Sequence, residues 1–191
     1  MPQGLQIGRR IPTMQQMDDL ELLQTIRTCL AHHYGITGEL ERLPGENLNF
    51  LITEAGGRKH VFKIVDEDMP AEVVAMEFAV LEHAAAAGFG PRLPKIIETE
   101  HGNIETGIDL RSNGILRSRI IEFIDGIEMS ELTDISENLL HELGRTVAEF
   151  DRVMESFDHP AAHRNHRWNL ADAAQHEDKI AAFEASHASG F

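Results

Sequence analysis

A lysine in an apolar, strand-like segment and a glutamate in the helical segment after it are the side chains best suited to phosphate chemistry. Lys63 lies within Val61-Phe62-Lys63-Ile64, and Glu77 follows it by fourteen residues. A strand lysine can bind nucleotide phosphates while a helix glutamate orients it, because a buried ammonium needs a partner. Glu72 and Glu82 are alternative partners on the same helix. A simpler interpretation also stays open, in which Lys63 extends to solvent from an edge strand.

The turn before Lys63 and the strand after Glu77 are the other candidate binding segments. Gly45, Glu46, Asn47 and Asn49 lie in a turn whose glycine lets backbone N–H groups come close to phosphates. A plain hairpin is the alternative interpretation of this turn, and Asn49 either holds the loop closed or is exposed. The continuous apolar run 120–124 ends at a turn pair, 125–126, which is typical of a buried strand.

Period-two segments and turn residues predict the strands that carry these groups. Gly56-Gly57 is a two-residue hairpin signal that separates two of them. Strands are expected at 39–43, 48–53, 60–65, 95–100, 104–109 and 116–124.

Helical spacing of apolar residues predicts the remaining elements. Helices are expected at 14–34, 71–87 and 171–189, and a further helix, capped by Asp134 or Ser136, is expected to run through Leu139 to Met154. Residues 1–13 show no periodicity and are expected to form a loose arm. Strands with one inserted helix precede a purely helical part, which predicts an α+β fold. We therefore expect an N-terminal lobe over 14–125, with its leading helix, and a partial helical second lobe over 126–191.

Composition limits the classes of partner and the compartment. The net charge is −15, from 17 basic and 32 acidic residues, so nucleic acids and anionic membranes are unfavourable partners and a cationic small molecule is a suitable one. Solubility is the simpler reason for this acidity. Cys29 is the only cysteine, which excludes an intrachain disulfide and suits the cytoplasm. No apolar run approaches a membrane span of about 18 residues, and we expect no signal peptide.

The order of these segments is similar to that of a known family. The chain resembles the aminoglycoside phosphotransferase/choline kinase superfamily, closest to its hydroxylysine-kinase-like subgroup, over roughly residues 15–180. The segments that carry the resemblance are Leu43-Pro44-Gly45-Glu46 with Asn49-Phe50, Val61-Phe62-Lys63-Ile64, Glu77 with Leu81, Phe123-Ile124-Asp125-Gly126, Leu139 to Asp151, Phe157-Asp158-His159-Pro160 and Trp168-Asn169-Leu170. Asp125 stands where a proline is common in the family.

The resemblance implies a fold and a nucleotide site. The fold would be a protein-kinase-like N-lobe, an antiparallel sheet with one long helix, followed by the first helices of the C-lobe. Lys63 would bind the α- and β-phosphates of ATP or GTP, and Glu77 would orient it. The 45–49 loop, with Gly45, Glu46, Asn47 and Asn49, would cover the phosphates. Glu122, Phe123 and Ile124 would present backbone groups to the adenine. The activity that the resemblance implies is phosphoryl transfer to a hydroxyl, such as that of an amino alcohol or hydroxylated amino acid.

The family's catalytic loop is the part of the pattern from which this sequence departs. That loop supplies an Asp base and, five residues later, an Asn for the metal. His176-Glu177-Asp178 is the only His-x-Asp here, and Phe183 stands at the Asn position. We therefore expect no catalytic residues and no Mg²⁺ ligands in this chain, although a full-length enzyme would use Mg²⁺, and no turnover by the chain alone.

Two other interpretations stay open. The chain is either part of such an enzyme or a non-catalytic nucleotide- or partner-binding module. In both cases an apolar helix face would be exposed, so a homodimer or a missing C-lobe segment is expected to cover it. His159, His163 and His166 have spacings that could gather a metal, but a solvated basic stretch with Arg164 and Arg167 is the favoured interpretation.

Overall fold

The computed structural model describes residues 19–44, 48–65, 69–110 and 114–164. The helices are α1 (Asp19–Tyr34), α2 (Ala71–Ala86) and α3 (Glu137–Met154). The strands are β1 (Glu39–Leu43), β2 (Leu48–Thr53), β3 (Lys59–Ile64), β4 (Ile96–Ile97), β5 (Thr106–Asp109) and β6 (Ile115–Glu122). Short 3₁₀ turns lie at Met129–Glu131 and Pro160–His163. Residues 1–157 and 158–191 form two separate compact units.

The described strands form one antiparallel sheet in the order β1-β2-β3-β6-β4, with β5 also pairing with β6. The hairpin between β2 and β3 closes at Gly57, whose φ of 79° is favourable for glycine. Its N–H donates to the carbonyl of Glu54 at 2.8 Å. Strand β3 lies between β2 and β6, so any side chain on it has a neighbour on both sides.

One face of the sheet is apolar and is covered by α1. Phe50, Phe62 and Ile120 are at most 1% exposed and belong to the same buried cluster as Ile26 and Leu30 of α1. Because strand side chains alternate between faces, the even-numbered residues of β2, β3 and β6 point into this core. The odd-numbered residues, including Lys63, are therefore placed on the opposite face.

Helix α2 contacts the opposite face of the sheet. Val74 and Phe78 of α2 form a smaller buried cluster with Val65, which directly follows β3. The helix begins after Pro70, a residue that cannot donate a backbone hydrogen bond and suits a helix start. The same helix carries Glu77 beside Phe78, so packing of Phe78 brings that carboxylate to the sheet.

Helix α3 packs against the segment around the end of α2 but buries little of its own surface. Ser136, one of the two residues predicted to cap this helix, accepts a hydrogen bond from the N–H of Leu139 at 3.2 Å. The rings of Phe89 and Phe150 meet edge to face at 5.4 Å between centroids. Glu149 accepts a hydrogen bond from the N–H of Gly90 at 2.8 Å. Leu140, Leu143 and Val147 remain 52%, 42% and 51% exposed.

Most predicted elements are present, with some changes of extent. The α+β fold is confirmed, and five of the six strands match their predicted positions within two residues at each end. The strand predicted at 95–100 was wrong in length, because only Ile96–Ile97 pairs with β6. The predicted arm 1–13 and the helix at 171–189 lie outside the described residues. The lobe boundary at 125–126 stays a prediction.

Substitution of Phe62 tests the α1-covered core. Phe62→Ala should lower the free energy of unfolding by about 3–5 kcal/mol, because the ring is 0% exposed in the centre of β3 and leaves a cavity. Ile115→Ala on β6 is the matched control, since Ile115 is 75% exposed and should cost less than about 0.5 kcal/mol. Urea unfolding followed by circular dichroism measures both. Equal effects of the two substitutions would contradict the assigned faces of the sheet.

Candidate nucleotide-binding site

Three polar side chains form a row across the centre of the sheet. Asn49 of β2 is opposite Lys63 of β3, and Lys63 is opposite Arg119 of β6. Directly paired residues have Cβ atoms about 4.5–5.5 Å apart, so the row brings an amide, an ammonium and a guanidinium together. All three side chains lie on the face that α1 does not cover. This face is the candidate site.

Glu77 reaches this row but pairs with Arg119. The Glu77 carboxylate oxygen Oε2 accepts a hydrogen bond from Nη2 of Arg119, and the two groups form an ion pair. Among the described residues, no ion pair within 4.0 Å joins Glu77 to Lys63. The structure thus brings Lys63 and Glu77 to one site, but it connects them through Arg119 instead of directly. Glu72, the alternative partner, is exposed.

Arg119 is buried at the centre of this arrangement. Its side chain is 6% exposed, against 45% for Glu77. The guanidinium carbon lies 5.1 Å from the centroid of the Phe78 ring, which gives a cation–π contact. Its Nη1 lies 4.0 Å from Oε1 of Glu105 and has no hydrogen-bond partner among the described atoms. Arg119 is therefore held firmly by its ion pair and ring contact, while one of its donors stays unused.

Lys63 differs from Arg119 because no described residue forms an ion pair with it. Burial lowers the pKa of its ammonium, and the positive charge of Arg119 lowers it further, while the Glu77 carboxylate opposes both effects. On the other side, Oδ1 of Asn49 is buried without a hydrogen-bond partner among the described atoms. A half-buried ammonium without an ion-pair partner among the described residues is well suited to an incoming anion.

The charges around Lys63 add up to a local positive excess. Arg117 and Glu105 also belong to this face, with Nη1 of Arg117 lying 3.6 Å from Oε2 of Glu105. With Arg119, Lys63 and Glu77, the described cluster has three cations against two carboxylates. This excess of one positive charge occurs in a chain whose net charge is −15. The arrangement favours an anion at this place despite the acidity of the whole chain.

The segment that follows β6 is fixed by contacts on both sides. The N–H of Glu122 donates to the carbonyl of Lys95 at 2.7 Å, and the N–H of Phe123 donates to the carbonyl of Lys59 at 3.3 Å. Lys59 also binds Asp125 at 3.0 Å between Nζ and Oδ1. The N–H of Ile124 has no backbone partner among the described residues and remains available to a ligand.

Side chains fix the same segment as well. Arg92 binds the Glu122 carboxylate, and this hydrogen bond lowers the pKa of the carboxyl group. The ammonium of Lys59 lies 5.4 Å from the centroid of the Phe123 ring. Of the three predicted adenine-facing residues, Glu122 and Phe123 therefore use their N–H groups within the sheet, which leaves the Ile124 N–H.

Several of the other predicted candidates fall outside the described residues. Gly45, Glu46 and Asn47 fall outside the described residues, as do His166, Trp168 and the 176–183 segment. Within the described residues, no group of three or more His, Cys, Asp and Glu side chains is placed to hold a metal ion. His163 binds Asp158 at 2.6 Å, and His159 accepts a hydrogen bond from the N–H of Ala161 at 3.2 Å.

A shallow groove lies between α1 and β5. Its volume is about 740 Å³, and its walls include Thr25, Cys29 and Ile108 but not Lys63. Cys29, one of these wall residues, is nevertheless buried. Burial also raises the pKa of its thiol, so the thiol stays protonated near neutral pH. None of the described helices is both long and apolar enough to cross a membrane.

Arg119, Arg117 and Glu105 are site residues that the sequence interpretation missed. Arg117-Ser118-Arg119 places two arginines at period two directly before an apolar run on a central strand. Two arginines spaced in this way share one face of the strand and need charged partners there. This spacing was the feature of the sequence from which the two site residues could have been predicted. Glu105 gave no signal of its own, because its proximity to β6 arises only from the pairing of β5 with β6.

The sequence profile described as the phosphotransferase enzyme family, APH, matches residues 39–188, which is more than half of the chain. Hydroxylysine kinase of Mus musculus is 27% identical over 165 residues, covering 78% of this chain and 43% of its own length. Hydroxylysine kinase of Bos taurus is 26% identical over 128 residues, covering 62% of this chain and 33% of its own length. The chain thus spans less than half the length of these curated relatives.

Solved structures support the protein-kinase-like fold. A microcompartment-associated aminopropanol kinase superposes with a TM-score of 0.59 at 19% identity, over 78% of this chain and 46% of its own. An amicoumacin kinase in complex with AMP-PNP, Ca²⁺ and Ami gives a TM-score of 0.64 at 14% identity, over 90% of this chain and 55% of its own. At these identities the likeness shows the fold alone, and it confirms the fold expected from the sequence.

Replacing Glu77 tests its ion pair with Arg119. Glu77→Gln should lower the free energy of unfolding by about 1–2 kcal/mol, because it leaves a nearly buried guanidinium without its counter-charge. Glu72→Gln, in the first turn of the same helix, should change it by less than about 0.5 kcal/mol. Thermal and urea unfolding of the two variants provide the comparison. A Glu77→Gln variant as stable as Glu72→Gln would contradict the pairing.

Proposed function

The chain belongs to the phosphotransferase enzyme family, and on that premise we propose that it is the nucleotide-binding part of a small-molecule kinase. The nucleotide is ATP or GTP, and the transferred phosphoryl group goes to a hydroxyl of an amino alcohol or hydroxylated amino acid. The observation that carries the proposal is the half-buried ammonium of Lys63, which no described residue pairs and which lies in a cluster with a positive excess.

Lys63 is the group proposed to bind the phosphates. Its place at the centre of the sheet fixes the start of its side chain, since β3 is paired on both sides and Phe62 is anchored in the core beneath it. A lysine held in this way supplies a point charge to phosphate oxygens without moving the backbone. Asn49, with a buried amide oxygen that has no hydrogen-bond partner among the described atoms, lies beside it on β2 and is proposed to line the same face of the sheet.

The end of β6 is proposed to meet the nucleobase. The N–H groups of Glu122 and Phe123 already serve the sheet, so Ile124 supplies the donor to the base. Lys59, bound to Asp125 and lying over the Phe123 ring, keeps this segment in one position. A preorganised segment of this kind loses little conformational freedom when the base binds.

Phosphoryl transfer requires little covalent chemistry from the protein, so positioning and charge are the main contributions expected from these residues. Lys63 would hold the phosphates and stabilise their negative charge, while the excess positive charge of the cluster would attract the nucleotide. A divalent ion bound with the nucleotide would supply further neutralisation of the phosphate charge. The residues that would hold this ion, and a base for the acceptor hydroxyl, are proposed to belong to other parts of the complete enzyme.

The acceptor class rests on the relatives and on charge. The relatives are named for hydroxylysine and aminopropanol, which both carry an amine and a hydroxyl. A chain with a net charge of −15 attracts a cationic amine over distances of about one Debye length, roughly 10 Å at 0.1 M salt. The neighbouring amicoumacin kinase, determined with AMP-PNP, agrees with a nucleotide as the other substrate.

A second candidate is a nucleotide-binding module without catalysis of its own. The sole His-x-Asp segment, 176–178, lacks the Asn that the family's loop requires. The residues proposed to bind the nucleotide, in contrast, lie on β2, β3 and β6 and do not depend on that loop. Turnover by the 191-residue chain would therefore exclude the module without catalysis, and binding and turnover are both measurable on the same preparation.

Nucleotide binding is the first prediction of this proposal. ATP or GTP at millimolar concentration, with Mg²⁺, should raise the melting temperature of the full 191-residue chain, because a ligand that binds the folded state stabilises it. Lys63→Ala should abolish the shift. Arg58→Ala also removes one positive charge near β3, but its side chain is 77% exposed, so it should leave the shift unchanged.

Differential scanning fluorimetry gives the melting temperatures, and isothermal titration calorimetry gives the dissociation constants. No shift with either nucleotide in the wild-type chain would overturn the proposed binding. A shift in melting temperature that persists in Lys63→Ala would overturn the assignment of Lys63 and would mean that the nucleotide binds elsewhere on the molecule.

Turnover is the second prediction. Incubated with ATP and Mg²⁺, the 191-residue chain should form no more ADP with hydroxylysine or aminopropanol than Lys63→Ala does, because its only His-x-Asp segment does not match a catalytic loop. A coupled ADP assay and mass spectrometry of the acceptor measure this. Acceptor phosphorylation that Lys63→Ala abolishes would support the kinase assignment and refute the non-catalytic alternative.

A further inference from the structure

We propose that Glu105 is a positioning residue for nucleotide binding: by pairing with Arg119 in place of Glu77, it frees the Glu77 carboxylate to orient the proposed phosphate-binding lysine. That lysine is Lys63. The inference deepens the proposed function and rests on it for the identity of the ligand. It gives a role to an acidic residue directly before β5 that lies outside the sequence-predicted site.

The guanidinium of Arg119 lies between two carboxylates. Its Nη2 donates a hydrogen bond to Oε2 of Glu77, and its Nη1 lies 4.0 Å from Oε1 of Glu105. Both Nη1 of Arg119 and Oε1 of Glu105 are buried and have no hydrogen-bond partner among the described atoms. Buried polar groups in folded proteins normally have partners. An unsatisfied donor and an unsatisfied acceptor that face each other therefore mark a hydrogen bond that a second arrangement completes.

Only a small displacement separates these two atoms from a hydrogen bond. A charge-assisted N–H···O bond is about 2.7–2.9 Å long, so closing the 4.0 Å gap takes a movement of about 1 Å. The guanidinium carbon of Arg119 lies 5.1 Å from the centroid of the Phe78 ring. A shift of that size across the ring face keeps it within the roughly 6 Å of a cation–π contact. Phe78 therefore supports Arg119 in both arrangements.

Once released from Arg119, the Glu77 carboxylate has Lys63 as the cation beside it. Lys63 is directly opposite Arg119 on the neighbouring strand, and Glu77 already acts on its ammonium, because it raises the Lys63 pKa against the effect of burial. The Glu77 side chain is 45% exposed, so it can turn without disturbing the core. A glutamate in contact with the lysine orients it, and an oriented ammonium loses less conformational freedom when it binds a phosphate.

The exchange gives every cation of the cluster a carboxylate. The two oxygens of Glu105 face different arginines, since Oε2 lies 3.6 Å from Nη1 of Arg117 and Oε1 faces Arg119. Glu105 can therefore hold both arginines while Glu77 holds Lys63. A nucleotide binds better to the arrangement in which the lysine is oriented, so its binding shifts the population towards that arrangement.

Two substitutions have effects on ATP binding that are opposite in sign to those of charge alone. Glu105→Gln removes a negative charge from the anion-binding face, which by charge alone would tighten binding. We expect it to weaken binding about fivefold, because Arg119 loses its second partner and keeps Glu77. Arg119→Met removes a positive charge, yet it should tighten binding about fivefold, because Glu77 then pairs with Lys63.

Combined variants test whether these residues act in one chain. Glu105→Gln added to Arg119→Met should leave ATP binding as tight as in Arg119→Met, because Glu105 acts only through Arg119. Glu77→Gln added to Arg119→Met should remove the gain. Glu98→Gln is the charge-matched control, since Glu98 is exposed shortly before β5, and it should change the dissociation constant less than twofold.

Isothermal titration calorimetry with ATP and Mg²⁺ gives these dissociation constants, after thermal unfolding has established that each variant is folded. Binding by Glu105→Gln that is tighter than, or equal to, that of Glu98→Gln would overturn the inference. Weaker binding by Arg119→Met would do the same, because Arg119 would then serve the phosphates itself. If Arg119→Met does not fold, Glu105→Gln still decides, since it preserves side-chain volume and leaves the guanidinium in place.

A second readout needs no nucleotide. The Lys63 pKa is measured from the ¹³Cε lysine signal that disappears in Lys63→Ala. Glu77→Gln should lower this pKa in the wild-type background, and it should lower it by more in Arg119→Met, where Glu77 contacts Lys63 directly. An equal or smaller decrease in Arg119→Met would mean that Arg119 does not keep Glu77 from Lys63, and the inference would be wrong.

The two readouts separate this inference from the proposed function. If the wild-type chain binds no nucleotide, the proposed function fails, while the pKa comparison still decides whether Arg119 and Lys63 share Glu77. If ATP binds and depends on Lys63, but Glu105→Gln behaves like Glu98→Gln, the function stands and the inference fails.

Discussion

Two cations that face each other across adjacent strands are the constraint on which the rest of the site depends. Lys63 and Arg119 are opposite neighbours on β3 and β6, and like charges in that relation destabilise a sheet. A carboxylate must therefore be delivered to this face, and α2 delivers it through Glu77. Two neighbouring residues hold α2 against this face of the sheet. Phe78 provides the apolar contact, and Glu77 provides the negative charge that pairs with Arg119.

The same sheet has an apolar face and a charged face because side chains alternate along each strand. Phe62 and Lys63 are neighbours in sequence, yet one lies in the α1 core and the other on the opposite face of the sheet. A shift of β3 by one residue in the pairing register would turn the Lys63 ammonium into the core and the Phe62 ring out of it. The register that buries Phe62 is therefore the same one that places Lys63 on the opposite face. The strong acidity of the chain does not exclude an anion at this face, because among the described residues the cations around Lys63 outnumber the carboxylates by one.

The sequence was sufficient to predict the α+β fold and the places of Lys63 and Glu77, because both depend on local periodicity. The strand around Lys63 and the helix that carries Glu77 have distinct apolar patterns, and each lies within a residue or two of its predicted position. The pairing of Glu77 was not predictable in this way. It depends on Arg119, which is 42 residues away in the chain and meets Glu77 only after β6 has paired with β3. Glu105 was missed for the same reason.

The buried position of Cys29 has a practical consequence for spectroscopy. It is the only thiol of the chain, it is 7% exposed, and its Sγ lies 4.0 Å from Oγ of Ser118 on the far side of the sheet from Lys63. A cysteine introduced at an exposed position such as Ile127 would then be the preferred target of a maleimide dye in an otherwise native protein. The fold thus leaves a single, nearly buried native thiol, and a fluorophore can be attached preferentially at a more exposed cysteine introduced by mutation.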